Sequence, residues 1–407
     1  MTAASEQYEA LIQSEAQKEF PSAVLLVERI LEHAHTLKAS DVHIDPAETV
    51  LVIRFRIHGL LFDAHILPIH IHSGLLARIK ILAQLRTDEH QLPQDGRFRV
   101  TNRNDAFDVR IAISPTYYGE RIVARLLGIT PELNSLSSLG LTERQERIAL
   151  NALARPHGLI LITGATGSGK TSALYALLQE LNTREKSIIT IEDPIEYSLP
   201  GAVQLQTNKY VGFSFADGLR SILRQDPDII AVGEIRDSET AELTIHAALT
   251  GHLAISTLHT STAPTAIPRL LDLGVEPFLI SSTLRLIISE RLVRKLCDEC
   301  KTKRPLSDSE KDDLCAIFPD SIVTVSHTYT PVGCRACEGT GFAGRVGIFE
   351  LLEHSARLEE AIRQRAHIRE LTYIARDTGM LTFAENALEK AAAGIIPLSE
   401  VFIHAYE

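Results

Sequence analysis

Residues 164–171 read Gly-Ala-Thr-Gly-Ser-Gly-Lys-Thr, a G-x-x-x-x-G-K-T spacing set between an apolar run, "GLILIT", and a helical pattern, "KTSALYALLQEL". The glycines let backbone N–H groups converge on phosphate oxygens, and the helix that follows adds the positive end of its dipole. In that arrangement Gly164, Ala165, Thr166, Gly167, Ser168 and Gly169 cradle a nucleoside triphosphate. Lys170 reaches its β and γ phosphates, and Thr171 offers a hydroxyl to Mg²⁺.

Hydrolysis further requires acidic groups. "TIEDPIEY" supplies Glu192, Asp193 and Glu196; "DIIAVGEIRD" supplies Glu234; and "HLAISTLHT" ends in His259, between Thr257 and Thr260. Each follows a short apolar strand candidate, and open parallel sheets bind ligands at the carboxyl ends of their strands. On residue types alone, the alternative for Glu192 and Glu234 is a pair of solvated strand ends, and a lone histidine such as His259 is more often structural than functional. Gly233 stands where a common P-loop enzyme has the Asp that holds Mg²⁺.

A different chemistry is offered by Cys297 and Cys300 in "CDEC" and Cys334 and Cys337 in "CRAC", with 33 residues between the pairs. Four thiolates from two such turns suit one tetrahedral Zn²⁺, a closed structural site with no open position for catalysis. Cys315 is left over and reads as a small buried or loop residue. Around the first pair Arg291, Arg294, Lys295, Lys301, Lys303 and Arg304 outnumber the acids, as a solvated surface or as a contact for acidic protein loops or anionic lipid. In "HILPIHIH" the histidines alternate, so His70 and His72 are expected on one strand face, without metal-ligand spacing.

The elements that must position these groups fall into two blocks. In the first, "SAVLLVERILEHAHTL" and "HSGLLARIKILAQL" have helical spacing. "VLVIRFRIHGLLFDA", turning at His58 and Gly59, and "GRFRV", "AFDVRIAIS" and "GERIVARLL" alternate like strands, with arginines on one sheet face. After a Pro-, Ser- and Gly-bearing linker, fully apolar runs alternate with helices near 170–182, 215–224 and 238–249, the signature of a parallel sheet covered on both faces. Residues 297–340 lack periodicity, and helical patterns return beyond them.

The chain has 407 residues, enough for two or three domains; 45% are hydrophobic and 23% charged, as in folded globular proteins. Its net charge of −11, with 5% aromatic residues and no Trp, argues against a nucleic-acid-coating protein. No stretch approaches the roughly 18 to 20 apolar residues of a bilayer span, and the start is polar rather than a signal peptide. Five cysteines, four of them in Cys-x-x-Cys pairs, fit a reducing compartment.

"GATGSGKT", "TIEDPIEY", "RQDPDIIAVGEIRD" and "TGHLAISTLHT", in this order, resemble the Walker A, Asp box, Walker B and His box of type II secretion and type IV pilus ATPases. The resemblance extends through "SDVHIDP", "LPQDGRFRV", "DVRIAIS", "GERIVARLL" and "GRVGIFELL", and so over residues 20–407. It implies an N-terminal extension over 1–20, a PAS-like α+β domain over 21–128, a linker over 129–141 and a RecA-like ATPase domain over 142–407. The last includes a zinc-binding insertion at 297–340 and a helical part at 346–407. It also implies that the shortened Walker B is normal, with Glu234 acting on Mg²⁺ or water, Glu192 polarising the attacking water and His259 sensing the γ phosphate. Arg97, Arg110 and Arg121 of the first domain are implied to complete the site. The tetracysteine insertion points to assembly rather than retraction motors. A homohexamer is implied, at the cytoplasmic face of the inner membrane, peripheral to it, working with a platform protein and the secretion or pilus machinery on ATP, Mg²⁺ and Zn²⁺. Larger members have a further domain before the PAS-like one; recruitment through such a domain is not implied by the roughly twenty residues that precede the match here. The rival readings are a zinc-containing nucleic-acid motor and a nucleotide switch without turnover.

Overall fold

In the computed structural model, residues 3–57, 59–101, 106–127, 136–208, 211–318 and 325–405 are described. Two compact units divide the chain, Met1–Pro131 and Glu132–Glu407.

The first unit is a six-stranded sheet with strand order β3-β2-β1-β6-β5-β4. Its strands are β1 (Asp41–Pro46), β2 (Val50–Ile57), β3 (Leu60–Pro68), β4 (Gln94–Thr101), β5 (Ala106–Thr116) and β6 (Gly119–Leu127). Their alternation sends Leu51, Ile53 and Phe55 of β2 and Val109, Ile111 and Ile113 of β5 to one buried face. Helices α1 (Ala3–Ala16), α2 (Ala23–Thr36) and α3 (His72–Leu82) supply the other side of that core through Ile12 and Ala16, Leu26 and Ile30, and Leu75 and Ile79. Thus Ile12 and Ala16, within the segment read as an extension, are packed into this core. The opposite face bears a row of basic residues: Arg97 lies across from Arg110, and Arg110 across from Arg125. The expected turn between β2 and β3 falls partly on His58, outside the described residues. The expectation for His70 and His72 is corrected: β3 stops at Pro68, a single 3-10 turn covers Ile69–Ile71, and His72 opens α3. Pro68 lacks the N–H a ladder needs, which is why the alternation does not continue as a strand.

The second unit holds a seven-stranded sheet, order β15-β12-β7-β11-β10-β8-β9. Its central strands β7 (Gly158–Thr163), β8 (Ile188–Glu192), β10 (Ile229–Val232) and β11 (Leu253–Leu258) are parallel and buried along their whole length. Alternate residues feed different cores. Ile160 and Ile162 pack with α4 (Glu143–Leu153) and α5 (Lys170–Leu181), whereas Leu159 and Leu161 pack with α7 (Ser238–Leu249), α8 (Ala266–Asp272) and α9 (Pro277–Thr283). A continuous apolar run is therefore what a strand with helices on both faces requires. Beyond β8 lies β9 (Val203–Gln206), and α6 (Phe215–Ile222) covers Ile191 and Val232.

Two long strands were not foreseen. β12 (Leu284–Leu296) runs parallel to β7 and antiparallel to β15 (Phe342–Glu353), with Leu296 opposite Phe342. Residues 346–353 of the segment expected to be helical are thus strand; helices α11 (Ala356–Arg363), α12 (Ile368–Asp377), α13 (Phe383–Ala392) and α14 (Leu398–Ala405) follow. Between β12 and β15 lie β13 (Thr302–Pro305), α10 (Asp308–Ile317) and β14 (His327–Thr330). Cys315, expected to be buried or in a loop, is exposed on α10.

Ile255, fully buried in the middle of β11, tests this architecture away from the phosphate loop. Ile255→Ala is expected to destabilise the protein by about 2–5 kcal/mol, as large-to-small core changes do. Denaturant titration reads this as a lower midpoint, and a loss below about 1 kcal/mol would contradict the packing described.

Candidate active site

The phosphate loop turns sharply because its glycines occupy backbone space closed to other residues. Gly164 has φ +149° and Gly169 φ +109°. A Cβ on Gly164 would strike Ser168 Oγ and the Glu290 carbonyl; one on Gly169 would strike the Glu290 carboxyl. The loop is therefore seated directly on β12, and α5 begins with Gly169 as its N-cap and no capping side chain. The first-turn N–H groups of α5 are left for a ligand, as an anion site needs.

Lys170, 9% exposed, donates from Nζ to the carbonyls of Gly164 and Ala165, both at 2.8 Å. Burial lowers its pKa, opposed by the charges of Glu234 and Glu290. Glu290 is 1% exposed, and its Oε2 has no hydrogen-bond partner among the described residues. Burial pushes this carboxyl up to about 8, against the pull of Lys170.

The strand ends next to the loop bring the other groups together. Thr257 Oγ1 donates to the Gly233 carbonyl at 2.6 Å, and the Ile235 N–H donates to the Thr257 carbonyl at 2.9 Å, which ties the turn after β10 to the end of β11. As a result His259 Nε2 lies 3.3 Å from Glu234 Oε2. Arg236 bonds the other oxygen of Glu234, which raises the arginine's pKa further, and its Nη1 lies 3.8 Å from Asp193. Glu192 closes the adjacent strand, but its side chain is 4% exposed and turned inward. Tyr175 Oη donates to its Oε2 at 2.7 Å, while Thr190 Oγ1 and Gln204 Nε2 donate to its Oε1 at 2.7 and 3.1 Å.

Of the residues singled out in the sequence, the loop from Gly164 to Thr171, Glu234 and His259 thus converge, and Glu192 lies one strand over. Arg97, Arg110 and Arg121 belong to the first unit, where Arg121 is paired with Asp45 at 2.6 Å. Arg236, Tyr175 and Glu290 were missed. An acid inside the apolar run "LIISERLV" was the one available signal for Glu290.

A second cluster lies at the far end of β12. The Leu296–Phe342 pairing brings the cysteine turns together, and the Cys297 N–H donates to the Gly341 carbonyl at 2.9 Å. Sulfur separations are 3.9 Å for Cys297–Cys334 and 3.7 Å for both Cys300–Cys337 and Cys334–Cys337, with all four within 4.8 Å. Tetrahedral Zn²⁺ at its usual bond length sets sulfurs about 3.8 Å apart, so the donor set fits that ion. Burial alone would raise the Cys337 thiol, but backbone N–H donors from Cys334 and Gly341 and the neighbouring thiols bring it to about 6. Burial and the surrounding thiols push Cys300 to about 11. The basic run around this cluster is largely compensated: Arg294 pairs with Glu400, Lys295 and Lys301 with Asp298, and Arg304 with Glu310.

A glycine-rich loop on a doubly covered parallel sheet, with a loop lysine and strand-end acids, defines a P-loop ATPase. The profile described as "Type II/IV secretion system protein" matches residues 15–403, and the chain belongs to that family of ATP-hydrolysing secretion enzymes. It is 46% identical over 347 residues to the type II secretion system protein E of Aeromonas hydrophila, covering 84% of this chain and 67% of the relative. It is 41% identical over 379 residues to the type IV pilus assembly ATPase PilB of Myxococcus xanthus, covering 93% and 67%. Among solved structures, the pilus retraction motor PilT with bound ADP is 26% identical with TM-score 0.65 over 93% of this chain and 96% of that one. The Legionella pneumophila ATPase DotB, 24% identical, shares the fold with TM-score 0.70 over 95% and 96%.

Gly169→Ala is expected to weaken nucleotide binding at least about tenfold, since it strains a left-handed φ and drives a methyl into Glu290. Titration with a fluorescent nucleotide checks this; native affinity would mean that the loop does not hold the phosphates as described.

Proposed function

We propose that the protein is a hexameric Mg²⁺-dependent ATPase at the cytoplasmic face of the inner membrane, where hydrolysis drives assembly of pilin or pseudopilin fibres. The observation that carries this reading is the convergence of Lys170, Glu234 and His259 around the loop at the carboxyl ends of β7, β10 and β11. Family membership supports the coupling to secretion or pilus assembly, and the relatives named for type II secretion and for pilus assembly favour fibre assembly over retraction. Among the described residues no helix is long and apolar enough to cross a membrane.

The residues divide the work as follows. Lys170 exchanges its loop carbonyls for the β and γ phosphates. Mg²⁺, held by the Thr171 hydroxyl and Glu234, would neutralise charge on the phosphates. Glu192 orients the attacking water and takes its proton, and His259, touching Glu234, senses the γ phosphate. Arg97, Arg110 and Arg121 supply guanidinium groups for the charge that develops on the transferred phosphoryl. Zn²⁺ on Cys297, Cys300, Cys334 and Cys337 would close the end of the β12–β15 ribbon and take no part in turnover.

Glu192→Gln is expected to lower kcat about 10²-fold or more while ATP binding persists, the loss typical of a missing general base. Phosphate release in steady state measures it, and turnover within threefold of wild type would remove Glu192 from the mechanism. Elemental analysis is expected to find one zinc per chain. Cys334→Ser with Cys337→Ser should lose that zinc and lower the melting temperature; an unchanged metal content would rule the cluster out as its site.

A further inference from the structure

The hydrogen bonds around Glu192 contain a shortage of protons. Tyr175 Oη lies 2.7 Å from Glu192 Oε2 and 2.8 Å from the Tyr197 carbonyl oxygen, yet a phenol has one proton to donate. Gln204 Nε2 has two, and faces three acceptors: Tyr175 Oη at 3.0 Å, Glu192 Oε1 at 3.1 Å and the Tyr197 carbonyl at 2.9 Å. Its orientation is fixed, because Gln204 Oε1 accepts from the Leu199 N–H at 2.8 Å. With the Tyr197 N–H, which donates to Tyr175 Oη at 3.4 Å, six contacts share four protons, and the cluster accommodates one more without leaving a buried group unsatisfied.

We infer that Tyr175 is a positioning residue for Glu192, its hydroxyl proton changing acceptor between the Glu192 carboxylate and the Tyr197 carbonyl as Glu192 gains and loses the proton of the attacking water. While Glu192 is charged, Tyr175 donates to Oε2. When the water oxygen bonds to the γ phosphorus, the bond from that phosphorus to the bridging oxygen breaks and its electron pair leaves with ADP. The water proton passes to Oε2. The protonated oxygen then donates to Tyr175 Oη, whose own proton turns to the Tyr197 carbonyl. Release of the proton to product phosphate or solvent restores the first arrangement. Tyr175 itself stays neutral throughout, because burial, followed by the charge of Glu192, raises its pKa. Thr190 stays on Oε1 in both states and keeps the carboxyl from rotating. Among the other charged groups at this strand end, Arg236 pairs with both Asp193 and Glu234.

The inference rests on Glu192 as the proton acceptor, so the test separates the two. In the full-length oligomer, Tyr175→Phe keeps the ring that packs edge-on against Tyr197 at 5.3 Å and removes only the hydroxyl. The expected result is a kcat about tenfold lower with KM for ATP within twofold of wild type, and a Tyr175→Phe/Glu192→Gln double variant no slower than Glu192→Gln alone. Wild-type kcat in Tyr175→Phe, or KM rising in step with the loss, overturns the positioning role. If Glu192→Gln is inactive while Tyr175→Phe is normal, only this inference fails; if Glu192→Gln turns over normally, the catalytic reading of Glu192 fails as well. Should Tyr175→Phe not fold, Gln204→Leu removes the other two shared protons, and its kcat and KM are judged by the same criteria.

Discussion

A buried ammonium group governs the second unit. Lys170 has too little water around it to be stable as a cation unless its donors are used, and two carbonyls of its own loop take two of the three. The same burial that depresses its proton affinity would make phosphate oxygens a better partner than the loop, since a charge-assisted bond gains strength where solvent is excluded. Everything else in the site follows from where that nitrogen sits: on top of β12, at the mouth of β7, with Glu234 and Glu290 close enough to act on its charge.

The sheet supplies this placement through alternation and register. Side chains of β7 are divided between two cores, which fixes the strand from whose last residue the glycine-rich loop departs. The hydroxyls of Ser256 and Thr257 on β11 donate to the Val232 and Gly233 carbonyls at the end of β10, so Glu234 and His259 meet without either strand needing to move. Glu192 differs: its carboxylate is held inward by three donors, from Tyr175, Thr190 and Gln204. β12 links both ends of the unit, since it floors the phosphate loop through Glu290 and carries Cys297 just beyond its last residue.

Much of this was legible in the residues. The loop, the four central strands and the strand-end acids each have a local signature: glycine spacing, uninterrupted apolar runs, and a carboxylate at the ends of β8 and β10. The cysteine pairs were equally plain. What was not legible depends on partners distant in sequence. β12 reads as a mixed run because Arg291, Arg294 and Lys295 interrupt it, and only its pairing with β7 and β15 shows that Glu290 points under the loop. The basic run near the cysteines looked available for acidic partners, whereas Glu400 on α14 and Glu310 on α10 take up two of its arginines. Tyr175 looked like one more apolar position of a helix; its hydrogen bonds appear only when β8 and β9 bring Glu192 and Gln204 to it. His72 was misplaced because alternation was carried through Pro68.

The most direct measurement is a structure of the full-length protein with Mg²⁺ and a non-hydrolysable ATP analogue. The account predicts that Lys170 Nζ leaves the Gly164 and Ala165 carbonyls for β and γ phosphate oxygens, with Glu234 and His259 facing the γ phosphate. Phosphates bound elsewhere, with Lys170 still on those carbonyls, would contradict it.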